Sequence, residues 1–295
     1  MTTTSTAKES TFFRLLDIHI SEIKNYPNAI QDMVFNRSYE GMIIRDVFPK
    51  DVMEQVVERL EKNEGDINSL FFSSEKEMNF ENFKGPHLFG KSLLFTKPDS
   101  LKEYFAYTPA FRQACRLLFQ GKLDYEEHLE SVFQSISGGV PVKIPTGSEG
   151  ESYCPSVIRV LPDGHEIIIH VGNSFVEYPQ IDHLKSIFDL TDQLSFFIPL
   201  SLPEAGGQLV IYALEWEEAK RGGKFDLQTL GLELQDLNID EYETLTLTPG
   251  VGDMLLFDGG RFYHSVNRVS GSRPRRTIGG FLNFSCERDT VYYWE

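Results

Sequence analysis

Residues 157–172 read Val-Ile-Arg-Val-Leu-Pro-Asp-Gly-His-Glu-Ile-Ile-Ile-His-Val-Gly, two runs rich in branched apolar residues on either side of a Pro-Asp-Gly turn. Branched residues favour strands, and a short glycine-containing link between two such runs is typical of a hairpin. The segment therefore predicts a hairpin with strands at residues 157–161 and 166–172.

The rest of the C-terminal part has the same character. Long helical patterns stop near residue 137, because residues 138–147 (Gly-Gly-Val-Pro-Val-Lys-Ile-Pro-Thr-Gly) are rich in breakers. A short inserted helix is predicted at residues 180–190, where apolar residues recur at helical spacing. Further strands are predicted at residues 194–200, 208–212, 253–257, 277–284 and 290–294.

Helical signals dominate the first 136 residues. A short strand at residues 41–46 precedes Pro49, which opens a helix with apolar residues at helical spacing. Two more helices are predicted at residues 101–106 and 109–120, kept separate because Thr108 has the character of an N-cap. An acidic helix is expected to follow them at about residues 125–135.

Helices first and many short strands later, without regular βαβ alternation, favour a double-sheet β core braced by helices. The predicted fold class is mainly β with flanking α-helices, around a double-stranded β-helix core (jelly roll, cupin-like). We expect one domain over residues 1–295. Residues 1–136 would form its helical support and lid region, and residues 137–295 its jelly-roll catalytic core.

Charge and composition exclude several partners. The chain carries 28 Lys and Arg against 44 Asp and Glu, a net charge of −16, which repels nucleic-acid phosphates and anionic membranes. No apolar run approaches the roughly 18 residues of a membrane span. Cys115, Cys154 and Cys286 have no paired spacing, and we expect three buried, reduced cysteines in a cytoplasmic protein.

Two histidines have the setting of metal ligands. His170 lies near the end of the strand at residues 166–172, and the twofold period of a strand places Gly172 on the same face. His264 follows the strand at residues 253–257 through an Asp-Gly-Gly-Arg turn, and strands distant in sequence face one another in a jelly roll. Non-haem iron oxygenases commonly use two histidines and one carboxylate, with open positions for cosubstrate and oxygen.

No carboxylate stands two residues after His170. Glu166 shares its strand face, but four strand residues separate the two by about 13 Å at about 3.3 Å per residue. Glycine in a strand can also mark a close backbone approach that has nothing to do with a metal. A more remote acid, Asp163, Glu177 or Asp182, would reach the site only through a loop.

Arg275 and Thr277 begin another strand soon after His264, and alternation puts both side chains on one face. A guanidinium fork binds a carboxylate bidentately, and a neighbouring hydroxyl adds a hydrogen bond. The pair therefore suits the distal carboxylate of a dicarboxylate cosubstrate. Arg276 is expected to point the opposite way, to solvent.

The order His-x-Gly, distal His and Arg-x-Thr resembles the Fe(II)/2-oxoglutarate-dependent oxygenase superfamily, with Gly172 in place of the usual acid. Over nearly the whole chain the sequence resembles the carrier-protein-independent indole alkaloid halogenases of the hapalindole and welwitindolinone type. The resemblance is weakest at residues 65–95, where that family places part of its substrate pocket and lid. It rests on Ala-Ile-Gln-Asp (29–32), Phe-Arg-Gln-Ala-Cys-Arg (111–116), His-Val-Gly-Asn (170–173), Pro-Glu-Ala-Gly-Gly (203–207) and Pro-Arg-Arg-Thr-Ile-Gly-Gly-Phe (274–281).

This resemblance implies a halogenase that chlorinates an unactivated aliphatic carbon of a free-standing, apolar, indole-alkaloid-like molecule, without a carrier protein. His170 and His264 would bind Fe(II), and chloride would take the position at Gly172. Arg275 and Thr277 would hold 2-oxoglutarate, and O2 would take the last position.

Four further residues are candidates for supporting roles. Ser195 matches a second-sphere serine position of these halogenases, where a hydroxyl can orient the oxidant, although it also suits an ordinary strand position. Phe80, Phe83 and Phe89 lie in an aromatic-rich segment. They are candidate walls of an apolar substrate pocket, while such stretches more often form core.

Two alternatives remain open at this point. A two-histidine hydroxylase or desaturase would tolerate Gly172 without using halide, and halide dependence separates it from a halogenase. A non-catalytic jelly-roll protein that binds 2-oxoglutarate or another metabolite would form no succinate.

Overall fold

The computed structural model of this chain describes residues 10–64, 70–73, 84–120, 123–221 and 239–295. Within them, helices cover one face of a sheet-rich core. The described α-helices are α1 (Ala29–Val34), α2 (Lys50–Glu61), α3 (Leu101–Leu118), α4 (Tyr125–Ile136), α5 (Asp182–Lys185) and α6 (Trp216–Arg221).

The described strands form one sheet of ten strands and one of four. In chain order they are β1 (Leu15–His19), β2 (Gly41–Arg45), β3 (Phe71–Ser73), β4 (His87–Phe89), β5 (Val142–Lys143), β6 (Val157–Leu161), β7 (Ile167–His170), β8 (Leu194–Ser201), β9 (Leu209–Glu215), β10 (Thr244–Leu247), β11 (Met254–Phe257), β12 (Phe262–Val266), β13 (Arg275–Phe284) and β14 (Val291–Trp294). The large sheet has the order β1-β2-β11-β8-β13-β6-β4-β3, with β14 beside β13 and β5 beside β14. The small sheet has the order β10-β9-β12-β7.

Strand β8 shows how the two faces of the large sheet differ. Leu194, Phe196 and Ile198 belong to the core that α2, α3 and α4 cover, whereas Phe197 packs toward the small sheet. The apolar layer between the two sheets contains residues of both sheets, including Phe257 of the large one. The large sheet is thus buried on both faces, which is why every residue of β13 is buried. This layering is consistent with the predicted jelly-roll core.

The predicted hairpin at residues 157–172 is wrong in its pairing. The turn forms, with Gly164 at φ +76°, but β6 pairs with β13 and β4 while β7 pairs with β12 in the other sheet. The residues that link β6 to β7 are hydrogen-bonded to other segments. The Gly164 N–H donates to the Val269 carbonyl, and the Glu166 N–H donates to the Lys84 carbonyl. The link therefore carries the chain from one sheet to the other.

Helix α3 is one helix where two are predicted. Pro109 lies inside it and lacks the N–H that would bond to the Phe105 carbonyl. Thr108, the predicted N-cap, instead donates through Oγ1 to the Tyr104 carbonyl at 3.3 Å. The helix continues because one buried stripe, from Tyr104 to Phe111 and beyond, packs on the core on both sides of the proline.

The N-terminal part is not only a helical support. Strands β1 to β4 come from it and join the large sheet, and β2 is hydrogen-bonded to β11 of the C-terminal part. The sequence predicts β2 but not β1, β3 or β4, because these strands are short and carry little alternation. The helix predicted at residues 180–190 shortens to the four residues of α5.

Two other expectations can be compared with the structure. None of the described helices is both long and apolar enough to cross a membrane. Cys115 and Cys154 are buried and outside any disulfide, as expected, but Cys286 is exposed. Its expected burial is wrong because it lies in the turn that follows β13, where the chain has left the sheet.

Candidate metal and cosubstrate site

The two predicted metal ligands are neighbours in the small sheet. His170 on β7 and His264 on β12 are direct partners in an antiparallel ladder, and their ring centroids are 4.2 Å apart. Ladder partners project their side chains on the same face. The sheet therefore brings together two imidazoles that lie far apart in the sequence, at a separation that suits one shared metal ion.

Hydrogen bonds determine which nitrogen of each ring is available. His170 Nδ1 lies 2.8 Å from the Ile168 carbonyl oxygen, and His264 Nδ1 lies 2.9 Å from that of Phe262. Because a carbonyl only accepts, both Nδ1 atoms carry the proton and both Nε2 atoms present a lone pair. Among the described residues, no group is hydrogen-bonded to either Nε2. This donor set fits a divalent metal held by two backbone-oriented imidazoles.

The protein also keeps both rings uncharged. Burial holds the pKa of His170 below its ordinary value of 6.5, and the nearby Arg159 adds to this. Burial lowers the pKa of His264 further, with His170 contributing. Both histidines are therefore neutral at pH 7, as metal coordination requires.

We expect metal affinity to hold as the pH falls to 6.5. Protons compete for an imidazole only near and below its pKa, and both pKa values are lowered, so the Co(II) affinity should stay level from about pH 7.5 to about 6.5 and decline only below that. Anaerobic calorimetric titration with Co(II) at stepped pH measures the profile. The His87→Ala variant, which changes a histidine outside the pair, should give the same curve. A severalfold loss already at pH 6.5 would mean that the rings titrate like free histidines.

Gly172 follows β7 after one extended residue, Val171, and begins a 3-10 turn, so the strand predicted to reach residue 172 ends at His170. It lies against the turn that leads to β12. Its N–H donates to the Gly259 carbonyl at 2.8 Å, and the Asn173 N–H donates to the Gly260 carbonyl at 2.9 Å. A Cβ on residue 172 would lie 3.1 Å from both the Gly259 oxygen and the Gly260 Cα, and 3.2 Å from Gln193 Nε2. Two backbones thus approach closely at this glycine, and no acid follows the first histidine at the usual spacing.

Three of the four acids considered as alternative ligands are engaged elsewhere. Glu166 pairs with Arg268 at 2.7 Å, Asp182 pairs with Lys185 at 2.6 Å, and Asp163 accepts a hydrogen bond from a backbone amide. The described part of the chain contains no cluster of three His, Cys, Asp or Glu side chains that could hold a metal ion. Within these ranges, no third His, Cys, Asp or Glu side chain joins the two histidines in such a cluster.

Arg275 has the properties of a carboxylate anchor. It is 5% exposed, its Nη1 lies 3.4 Å from Thr277 Oγ1, and its guanidinium lies 5.1 Å from the Phe197 ring centroid. Burial lowers the pKa of Arg275 to about 10, and the charge of Arg159 adds to this. No acid in the described ranges pairs with it. A buried cation without an acid is unfavourable unless a ligand supplies the anion, so a dicarboxylate fits here.

Arg276 points to the other side of β13, as predicted, but not to solvent. It is 9% exposed, its Nη2 lies 2.8 Å from Glu61 Oε1, and its Nη1 lies 3.3 Å from Ser201 Oγ. Glu61 is the last residue of α2. The expectation of a solvent-facing arginine is wrong because α2 covers this face of the sheet and provides its partner.

Ser195 faces the space between the two sheets. It is the ladder partner of Phe257, whose ring meets that of His264 edge to face at a centroid distance of 5.0 Å. Ser195 Oγ also packs against Gly259, and a Cβ on that glycine would overlap it. The serine thus lies on the histidine side of the large sheet, beside the turn that contacts Gly172.

Of the three predicted pocket walls, the structure describes Phe89. Phe80 and Phe83 lie outside the described residues. Phe89 on β4 is fully buried, and its ring centroid lies 5.7 Å from that of Phe111 on α3. Phe89 belongs to the helix-covered core, so its packing is that of a core residue rather than of a pocket wall.

We expect Phe89→Ala to destabilise the fold instead of changing substrate binding. Removing a fully buried phenylalanine costs about 3–5 kcal/mol of unfolding free energy. Urea unfolding measures the loss, and Leu117→Ala, at a 41% exposed position, should change stability by less than about 0.5 kcal/mol. Near-native stability together with an altered KM for substrate would restore Phe89 as a pocket wall.

The sequence interpretation missed Arg159. This residue is the ladder partner of Thr277, and its charge lowers the pKa of both His170 and Arg275. Its Nη2 lies 2.6 Å from Glu295 Oε2, and that carboxylate is fully buried. An arginine inside an otherwise apolar strand was the available signal, because charged residues are rarely buried without a reason.

The sequence interpretation also missed the role of Asp258. This carboxylate is 2% exposed, lies 2.6 Å from Arg37 Nη1 and lies 2.9 Å from Arg261 Nε. It thereby anchors the turn whose glycines, Gly259 and Gly260, border residue 172. The Asp-Gly-Gly-Arg pattern predicts a turn. Nothing in the local sequence indicates that Arg37, from the distant N-terminal segment, pairs with Asp258.

The fold resembles those of solved dioxygenases. A novel N-substituted L-amino acid dioxygenase from Burkholderia ambifaria matches with a TM-score of 0.54 at 15% identity, over 90% of each chain. The complex of that dioxygenase with alpha-ketoglutarate matches with a TM-score of 0.53 at 16% identity, again over 90% of each chain. A comparison with curated proteins finds no match.

A comparison with protein families gives a more specific result than these fold likenesses. The family described as carrier-protein-independent halogenase WelO5 matches residues 12–295, and the chain belongs to it. This confirms the resemblance found in the sequence. Together with the dioxygenase fold, the family shows that the chain is an Fe(II)/2-oxoglutarate-dependent oxidoreductase, which removes the non-catalytic binding protein from the alternatives.

Proposed function

We propose that this chain is a halogenase that chlorinates an unactivated aliphatic carbon of a free-standing, indole-alkaloid-like small molecule. The observation that carries the proposal is Gly172, two residues after His170, with no acid of the described ranges in the ligand set. Fe(II) held by two neutral imidazoles keeps its full positive charge, which favours an anion as a further ligand. Chloride is an anion small enough to take the place of a side chain.

Each residue of the site has a role in this proposal. His170 and His264 hold Fe(II) through Nε2, and Arg275 with Thr277 holds the distal carboxylate of 2-oxoglutarate. Ser195 would orient the oxidant through its hydroxyl. Bound iron supplies oxygen activation coupled to decarboxylation of 2-oxoglutarate. We propose that the two sheets and their helical support form one jelly-roll domain. The residues between the two sheets exclude water from the iron site.

The overall reaction balances with chloride as the source of the new substituent. One substrate C–H bond, chloride, a proton, O2 and 2-oxoglutarate give a C–Cl bond, succinate, CO2 and water. One oxygen atom enters succinate and the other enters water. Oxidation of the C–H carbon and of 2-oxoglutarate together provides the four electrons that reduce O2.

The substrate is proposed to be a free apolar molecule, because the family is independent of carrier proteins. The net charge of −16 disfavours nucleic acid and anionic membranes as partners. A cytoplasmic location suits Cys115 and Cys154, which are buried and outside any disulfide.

The test is turnover with halide varied. Protein loaded anaerobically with Fe(II) is mixed with chloride, 2-oxoglutarate, O2 and a panel of indole alkaloids. The expected product shows the chlorine isotope pair by mass spectrometry, and replacing chloride with bromide shifts it to the bromine pair. Succinate with only hydroxylated or desaturated products, at every halide concentration, would reject halogenation.

That rejecting outcome corresponds to the second candidate, a hydroxylase or desaturase. The close backbone approach at Gly172 favours it, because a Cβ only 3.1 Å from the Gly259 oxygen gives a packing reason for glycine without any halide. The same turnover experiment therefore decides between the two activities.

A further inference from the structure

Gln193 carries a buried side-chain amide without a hydrogen-bond partner among the described residues. It lies between a turn at Leu190–Asp192 and β8, its exposed fraction is 0%, and neither Nε2 nor Oε1 forms a hydrogen bond with a described residue. Buried amides in native proteins are normally hydrogen-bonded, so an unpaired one indicates a ligand or water. The site thus contains hydrogen-bonding capacity that the described protein groups do not use.

The amide points at the position of the missing acid. Gln193 Nε2 lies 3.2 Å from the place that a Cβ of residue 172 would take, and it is the nearest side-chain atom to that place in the described ranges. The other near atoms are the Gly259 carbonyl oxygen and the Gly260 Cα. An acidic side chain leaving the backbone at residue 172 would therefore start out beside a hydrogen-bond donor.

Backbone contacts hold the amide in this place. The Gly260 N–H donates to the Gln193 carbonyl at 3.0 Å, while the Gly172 N–H donates to the Gly259 carbonyl at 2.8 Å. Buried Asp258 anchors the same turn through its ion pairs. These contacts hold Gln193 beside Gly172 and the turn at residues 258–260. The side-chain N–H of Gln193 is therefore held in place before a ligand binds.

We infer that Gln193 Nε2 donates a hydrogen bond to the halide beside Gly172, which makes Gln193 a positioning residue that sets halide affinity. This inference rests on the proposed function. A halide only accepts hydrogen bonds, and on burial it loses those of water, so an amide N–H replaces one of them. The negative charge also selects the N–H edge of the amide over its carbonyl edge.

Two variants and a matched control test this role. Gln193→Met keeps the side-chain length and removes both polar atoms, whereas Gln193→Glu keeps the shape and replaces the donor with a negative oxygen. Gln180→Met alters another buried glutamine, 9% exposed, whose Nε2 already donates to the Leu94 carbonyl at 3.1 Å. Each protein is loaded anaerobically with Fe(II) and 2-oxoglutarate. Sodium chloride is then titrated at constant ionic strength while the visible charge-transfer absorption is recorded.

The chloride Kd of Gln193→Met should rise about 10- to 100-fold, which corresponds to about 1.4–2.8 kcal/mol. Gln193→Glu should show no saturable chloride response, and Gln180→Met should match the wild type. The 2-oxoglutarate Kd, read from the same absorption, should not change. Each Gln193 variant decides the question by itself, so misfolding of one leaves the other as the test.

Two results overturn the inference and can be told apart. A wild-type chloride Kd in a Gln193 variant that binds 2-oxoglutarate normally would overturn the role of Gln193 and leave the proposed function standing. Absence of any chloride response in the wild-type complex would overturn the proposed function and the inference together.

Discussion

Gly172→Asp is expected to abolish chlorination in a protein that still binds iron. The aspartate adds a carboxylate two residues after His170, and the one residue between them, Val171, is extended, which keeps both groups on one face. Its negative charge and volume exclude a halide from the same position. We expect the chlorinated product to fall by at least about 100-fold, which corresponds to about 2.7 kcal/mol. Succinate formation should continue, and mass spectrometry of the products measures the ratio.

Gly172→Ala is the matched control for this substitution. Both variants add a Cβ that would lie 3.1 Å from the Gly259 carbonyl oxygen, but only the aspartate adds a ligand. Alanine should therefore retain much more chlorination than aspartate. Equal loss in both variants would mean that crowding of the turn, and not the carboxylate, is responsible. Continued chlorination by the aspartate variant would contradict an anion position at this residue.

Arg275→Ala is expected to abolish productive binding of 2-oxoglutarate. The guanidinium is buried, has no acid partner in the described ranges, and lies beside the Thr277 hydroxyl. Removing one member of a buried charge pair costs about 2–5 kcal/mol. At about 1.4 kcal/mol per tenfold, the 2-oxoglutarate Kd should rise by about 30- to 4,000-fold. Anaerobic titration of the Fe(II) protein, followed by its visible absorption, measures it.

The neighbouring residue provides the control for Arg275. Arg276→Ala removes the same charge from the opposite face of β13, where the side chain contacts Glu61 and Ser201. This variant should lose some stability but keep the wild-type 2-oxoglutarate Kd. If both variants lost affinity equally, net charge instead of a specific carboxylate contact would account for the binding.

The parts of the site that the sequence predicts correctly are those set by strand parity. Arg275 and Arg276 point to opposite sides of β13 because alternation along a strand is a local property, whereas the pairing of His170 with His264 depends on which strands meet in the small sheet. The sequence could not predict the ion-pair partner of Arg276, which is Glu61. Glu61 comes from a helix more than 200 residues earlier in the chain, and nothing in the local pattern of either segment refers to the other.

Other misses have the same origin. The hairpin at residues 157–172 fails because two adjacent strands each find a better partner elsewhere, β6 in the large sheet and β7 in the small one. Phe89 looks like a pocket aromatic in sequence, yet it packs under α3. Aromatic character shows that a side chain will be buried, but not which surface will bury it.

From the sequence alone follow most of the helices and strands, the candidate ligands His170 and His264, the glycine two residues after the first of them, and Arg275 as a candidate carboxylate anchor. These features are local: each depends on residue type and on a period of two or 3.6. Only the tertiary structure decides which sheet each strand joins, and that Asp258 anchors the glycine turn against Gly172. It alone places the Gln193 amide beside the missing acid, because such contacts join segments whose proximity is set by packing of the whole core.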